Sequence, residues 1–270
     1  MASGLRQRIF TALLLAAIVI GVLSWLPPGA AVFAVVVAML AGAWEWAGFC
    51  GWVAPARRGA YVAAVGVAIA LAWWLTAAPA ALEVFLCVAA LWWLIAFLWL
   101  AFAGGTGGQR AAVAVGFAVL VPAAIGLARL ALVEPHGPLL LLYLLVLIAA
   151  ADVGAYFGGR SFGRHKLAPR VSPGKTWEGF VAGMLGAVAA ALLGARLFEL
   201  PLLPWVAVCV LVALVSVVGD LFESLFKRRV GLKDSGNLLP GHGGVLDRLD
   251  SLTAAGPVFL LGLHLIGVAG

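Results

Sequence analysis

The chain has 270 residues, 65% of them hydrophobic and 10% charged, with a mean hydropathy of +1.14 and a formal net charge of +6. Soluble domains average about 45–50% apolar and about 25% charged residues, so a soluble enzyme, a disordered tail and a secreted disulfide scaffold are excluded. The fold class is all-α, a polytopic bundle of membrane helices.

A span needs about 20 predominantly apolar residues. Taken in chain order, the polar and Pro/Gly breaks predict about nine: 8–26, 30–49, 60–77, 80–102, 111–132, 138–158, 177–197, 202–226 and 249–268. Arg6 and Arg8 precede the first, and Pro27-Pro28-Gly29 leads straight into the second, so the first is expected to be retained and not cleaved as a signal. The shortest break is at Ala78-Pro79. Trp25, Trp44, Trp46, Trp52, Trp73 and Trp74 fall near span ends and are expected to be interfacial anchors. Cys50, Cys87 and Cys209 are far apart in apolar stretches, without metal-ligand spacing, and are expected to be small buried hydrophobes.

Charge sets the expected orientation. With the N-terminus in the cytoplasm, every one of the 17 basic residues except Arg129 and Arg196 falls on the cytoplasmic side, a strong positive-inside bias. The two halves differ. Residues 1–135 read as structural, lipid-facing helices, and residues 136–270 as the catalytic region, because most acids, bases and histidines lie there. Within the first half, Glu45 and Glu83 stand singly among aromatic and apolar residues. Pairing with an arginine explains each as well as function does, and Glu45→Gln is expected to change little.

Carboxylates at the membrane edge are costly and point to function. Asp152 ends the sixth span, followed by Gly154, Gly158 and a basic loop with Arg160, Arg164, His165, Lys166 and Arg170. The glycines equally suit close helix packing. Ser172-Pro173-Gly174-Lys175-Thr176 opens the seventh span, with Ser172 a candidate N-cap before Pro173. In the eighth, helical spacing puts Asp220, Glu223, Ser224 and Lys227 on one face. Asp247 and Asp250 share a face at the start of the ninth, where capping is the alternative account. Between the acids of the eighth span and those of the ninth, Lys233-Asp234-Ser235-Gly236 and Pro240-Gly241-His242-Gly243-Gly244 form a Gly-rich loop whose N–H groups can make an anion nest. Carboxylates beside cations and such a loop suit Mg²⁺ with a polyphosphate.

From Ser224 to Asp250 the chain reads SLFKRRVGLKDSGNLLPGHGGVLDRLD. This resembles the signature of the phosphatidate cytidylyltransferase (CDP-diacylglycerol synthase) family: Ser-x-x-Lys-Arg, Lys-Asp-x-Gly, then Pro-x-His-Gly-Gly-x-x-Asp-Arg-x-Asp. Asp152 through Ser172-Pro173-Gly174-Lys175-Thr176-Trp177-Glu178 is similar to a second shared segment, with Val153 departing from the Ser or Thr expected after the Asp.

The resemblance implies that CTP and phosphatidate give CDP-diacylglycerol and pyrophosphate with Mg²⁺ present, a second cation being compatible. Asp220, Asp247, Lys233 and His242 are then the expected catalytic residues. Asp220 and Asp247 are expected to hold the metal, with Asp152, Glu223 and Asp250 as weaker candidates. Ser172, Lys175, Ser224, Lys227, Arg228, Asp234, Gly243, Gly244 and Arg248 are expected to bind substrate. The partners expected are membrane lipids and a second copy of the chain, with no nucleic acid. The location expected is a bacterial inner (plasma) membrane, the site facing the cytoplasm and opening sideways to lipid. Transfer to another lipid acceptor is the alternative, as is a transporter, which the clustering of acids at one face disfavours.

Overall fold

The computed structural model describes residues 2–103, 109–239, 241 and 243–269. Among these, nine α-helices form: α1 (Ala2–Trp25), α2 (Pro28–Phe49), α3 (Pro55–Leu75), α4 (Pro79–Leu98), α5 (Gln109–Leu130), α6 (Gly137–Phe162), α7 (Trp177–Leu197), α8 (Leu202–Arg229) and α9 (Leu246–Leu265). A π-helical turn, Trp99–Ala103, extends α4. Pro28, Pro55 and Pro79 each sit in the first turn of their helix, where a missing N–H leaves no bond unmade. The short break at Pro79 is therefore a true boundary, and α3 starts at Pro55 rather than at 60.

Seven helices, α2 to α8, are long and apolar enough to cross a membrane. In α1 the apolar stretch found among the described residues is Ala16–Trp25. The ninth expected span is of another kind. α9 carries Asp247, Arg248 and Asp250 in its opening turns and is buried continuously from Ser251 to Leu263. It is the central post of the bundle, packed by α8, α5, α4, α2 and α6. A helix buried on all sides is expected to be apolar on all sides, and beyond Asp250 α9 is mostly so, with Ser251, Thr253 and His264 as its polar residues.

Close backbone approach fixes the second half. A Cβ at Gly154 would lie 2.6 Å from the carbonyl oxygen of Ala182, and one at Gly183 would lie 2.8 Å from that of Ala151. One at Gly158 would overlap Ala182 Cβ. Glycines thus let antiparallel α6 and α7 touch backbone to backbone. Gly219 does the same between α8 and α9, where a Cβ would lie 2.6 Å from the carbonyl oxygen of Asp250.

An apolar belt including Val67, Trp74, Val84, Leu185 and Leu193 is exposed, as lipid contact requires. Trp25 and Trp74 are exposed, in keeping with anchoring. Trp46 departs from that expectation: it is fully buried, its indole N–H donating to the carbonyl of Ala112 at 2.9 Å. Cys50 and Cys209 are buried, but Cys87 is exposed on α4.

Between α6 and α7 lies an element that an all-helical reading omits, an antiparallel hairpin of β1 (Lys166–Ala168) and β2 (Ser172–Thr176), pairing Lys166 with Thr176 and Ala168 with Ser172. Ser172 is therefore a strand residue and not a helix cap. The cap of α7 is Thr176, whose hydroxyl accepts from the N–H of Gly179 at 3.2 Å. Glu178 anchors the entrance to the hairpin, accepting from the backbone N–H groups of Arg164 and His165 and lying 2.6 Å from His165 Nδ1.

Candidate active site

The ends of α2, α6 and α8, strand β2 and the start of α9 meet at one end of the bundle. They build two charge clusters. In the first, Lys175 Nζ lies 2.7 Å from Asp220 Oδ2, both side chains about a quarter exposed at 27% and 28%. The Ser224 hydroxyl donates to Asp220 Oδ1 at 3.3 Å, one turn along α8. Asp152 on α6 and Asp250 on α9 both feel the charges of Asp220 and Lys175. The close α8–α9 contact at Gly219 sets Asp220 beside the turn of α9 that carries Asp250. Asp152 and Lys175 also line a cavity of about 370 Å³ with Tyr156, Arg160, Thr176 and Phe180.

The second cluster is buried. Lys227 Nζ lies 2.7 Å from Asp247 Oδ1 and 3.1 Å from Glu223 Oε1, with side chains 8% exposed or less. Asp247 Oδ2 accepts from the N–H groups of Ser235 and Gly244, each at 2.8 Å. The Gly244 N–H thus points at Asp247 and not into the cavity. Gly243 adopts a left-handed φ of +83°, and its carbonyl accepts from Leu239 N at 2.9 Å, closing a tight turn. His242 lies outside the described residues. Arg228, Lys233, Asp234 and Arg248 are exposed around this end.

The sequence reading missed Glu45. It is 3% exposed at the end of α2, and its Oε2 accepts from the Ser235 hydroxyl at 2.7 Å and Leu246 N at 2.8 Å. Its Oε1 accepts from Val245 N at 3.0 Å. A lone carboxylate inside a span was the available signal, because such a group needs partners. Its partners were invisible, being 190 to 201 residues away in the chain.

Beside the polar cavity runs an apolar groove of about 630 Å³ between α4, α7 and α8, roofed by the hairpin. Leu167, Phe180 and Val217 line both spaces.

The donor chemistry fits a hard divalent cation, which prefers carboxylate oxygen. Among the described residues, no three His, Cys, Asp or Glu side chains already form a metal cage. Lysine ammonium groups hold the cationic positions, Lys175 at Asp220 and Lys227 at Asp247. A carboxylate oxygen accepts about two bonds. Both oxygens of Asp220 and Oδ1 of Asp247 each have one partner shown, whereas Asp247 Oδ2 has two.

Residues 6–266 match the cytidylyltransferase family. The phosphatidate cytidylyltransferase of Pseudomonas aeruginosa is 44% identical, covering 94% of this chain and 95% of that protein. That of Haemophilus influenzae is 38% identical over 94% of this chain and 97% of its own. The Helicobacter pylori protein of the same name is 45% identical over 48% of each chain.

Proposed function

The chain belongs to the cytidylyltransferase family, and on that footing we propose that it transfers cytidylate from CTP to phosphatidate, releasing CDP-diacylglycerol and pyrophosphate. Two relatives matched along nearly their whole length carry phosphatidate in their names. The observation that carries the proposal is the shared wall of Leu167, Phe180 and Val217. A cavity that carries Asp152, Arg160 and Lys175, sharing this wall with an apolar groove, suits a substrate with a phosphate head and acyl tails.

A phosphate monoester oxygen of the lipid attacks the α-phosphorus of CTP. A P–O bond forms there, the bond to the β-phosphate oxygen breaks, and its electron pair leaves on pyrophosphate. The attacking oxygen is already anionic near neutral pH, so no strong base is needed. The task is to bring two polyanions together and hold them in line. Lys175 on the cavity wall binds phosphate, and Arg228, Lys233 and Arg248 at the mouth draw both anions in. Lys227 sets the charge around Asp247. Mg²⁺, when bound, neutralises charge on the CTP phosphates, with Asp220 and Asp247 as its holders and Asp152, Glu223 and Asp250 as further carboxylates that leave scope for a second cation. Ser172, Ser224, Asp234 and Gly243 complete the substrate-binding set, with His242 assisting from the loop.

The acyl chains stay in the bilayer and enter along the groove. The site faces the cytoplasm, where the positive-inside distribution puts the basic residues. In a bacterium this is the inner membrane.

The test is pyrophosphate release by purified protein in mixed micelles with Mg²⁺, omitting CTP and phosphatidate in turn. Release that needs both supports the proposal. Release with a polyprenyl phosphate replacing phosphatidate moves the acceptor, and none with folded protein overturns it.

A further inference from the structure

Among the described residues Glu45 forms no ion pair with Lys175, Lys227 or any other cation, yet it bonds the segment that holds Asp247. Three donors converge on its carboxylate: the Ser235 hydroxyl, Val245 N–H and Leu246 N–H. The last two are N–H groups at the start of α9 that have no partner within the helix, whose own N-cap position, Val245, offers no side-chain cap. An acid there also suits the helix dipole. Glu45 is thus a cap supplied by another helix. The Ser235 hydroxyl passes the connection on, because its oxygen accepts from Asp247 N–H at 3.3 Å while the Ser235 backbone N–H donates to Asp247 Oδ2 at 2.8 Å. A chain of bonds therefore runs from α2 through Ser235 to both the backbone and the carboxylate of Asp247.

The surroundings leave no slack. A Cβ at Gly244 would overlap Ser235 Oγ and Glu45 Oε2, and one at Gly236 would press on the Glu45 carboxylate. These two glycines of the loop are shaped around Glu45. Three donors on two oxygens also demand acceptors at both positions. A glutamine has only one acceptor oxygen and would turn its NH₂ toward an N–H or hydroxyl donor.

We propose that Glu45 is a positioning residue that caps α9 and, through Ser235, holds Asp247 and the backbone at Gly236 and Gly244 in their working arrangement. The kinetic part of this inference rests on the cytidylyl-transfer reading, and the structural part does not.

The test uses the full chain in detergent, comparing E45Q, S235A and the double variant with the parent. Two quantities are read: the rate of tryptic cleavage at exposed Lys233, and kcat and KM for CTP with phosphatidate. Loosening a supporting partner of an active-site ligand typically costs about 10–100-fold, and we expect E45Q to lower kcat by that range with a smaller change in KM. Cleavage at Lys233 should accelerate in parallel. Because both substitutions cut one relay, the double variant should be no worse than E45Q alone. Additive losses, or parental cleavage and kcat in folded E45Q, overturn the proposal. So does a lowered melting temperature with kcat unchanged, since that marks a purely structural acid. If E45Q does not fold, S235A, which keeps the carboxylate, carries the test: faster cleavage with lower kcat supports the relay and parental values refute it. If the parent releases no pyrophosphate but E45Q still opens the loop, the functional reading has failed and the positioning role stands.

Discussion

The ammonium of Lys227 lies 2.7 Å from Asp247 and 3.1 Å from Glu223, and all three side chains are buried at the end of the bundle. Lys227 is the shared countercharge of two acids on different helices, locking α8 to the first turn of α9. Removing one member of a buried ionic group leaves the others uncompensated, which costs far more than a surface pair is worth.

Lys227→Met should therefore destabilise the protein by about 3–5 kcal/mol. Thermal unfolding in detergent measures it. A melting temperature equal to the parent's would mean that the two carboxylates find water or protons without cost.

Lys175→Ala should behave in the opposite way. Its pair with Asp220 is about a quarter exposed, and such pairs contribute about 1 kcal/mol or less after solvent screening. Stability should stay near the parent's while the CTP concentration needed for half-maximal rate rises at least several-fold. Unchanged CTP dependence would remove Lys175 from the phosphate site.

Gly183→Val should push α7 off α6. Its Cβ would lie 2.8 Å from the carbonyl oxygen of Ala151, immediately before Asp152. Overpacking of this kind costs about 1–3 kcal/mol, and the displaced Asp152 should lower activity beyond the loss of folded protein. Activity normalised to the folded fraction separates the two effects.

Leu214→Trp should fill part of the apolar groove that Leu214 lines on α8. Activity on a long-chain phosphatidate should fall more than on a dioctanoyl one, because only the longer chains reach the blocked depth. Equal losses on both would take the acyl chains out of the groove.

Much of this architecture is legible in the sequence because charge is scarce there. Apolar runs of about 20 residues can only be spans or core helices. In such a background Asp152, Lys175, Asp220, Lys227 and Asp247 stand out, and the structure does gather them at one end. What stays hidden is of two kinds. The hairpin has a strand of three residues and another containing Pro173 and Gly174, too short and too broken for a periodic signal, so the sequence points to Ser172 as the cap where the structure has Thr176. The other kind is long-range. Neither Glu45 as a brace for the loop nor Trp46 as a core residue can be inferred without knowing that the end of α2 meets α9 and α5. The Gly244 N–H likewise looks free for phosphate until Asp247 is seen to accept it.

The central place of α9 also governs how the protein is made. Among the described residues α1 to α8 precede it; they give Lys227 its partner Glu223, but Asp247 and the Val245 and Leu246 N–H groups capped by Glu45 come only with α9. Until α9 is present, Lys227 lacks Asp247, and Glu45 lacks the Val245 and Leu246 N–H groups. Docking of that helix supplies partners to both networks together. Both charged networks at this end of the bundle therefore wait on α9, and a chain arrested before that helix holds Lys227 and Glu45 without the partners that α9 supplies.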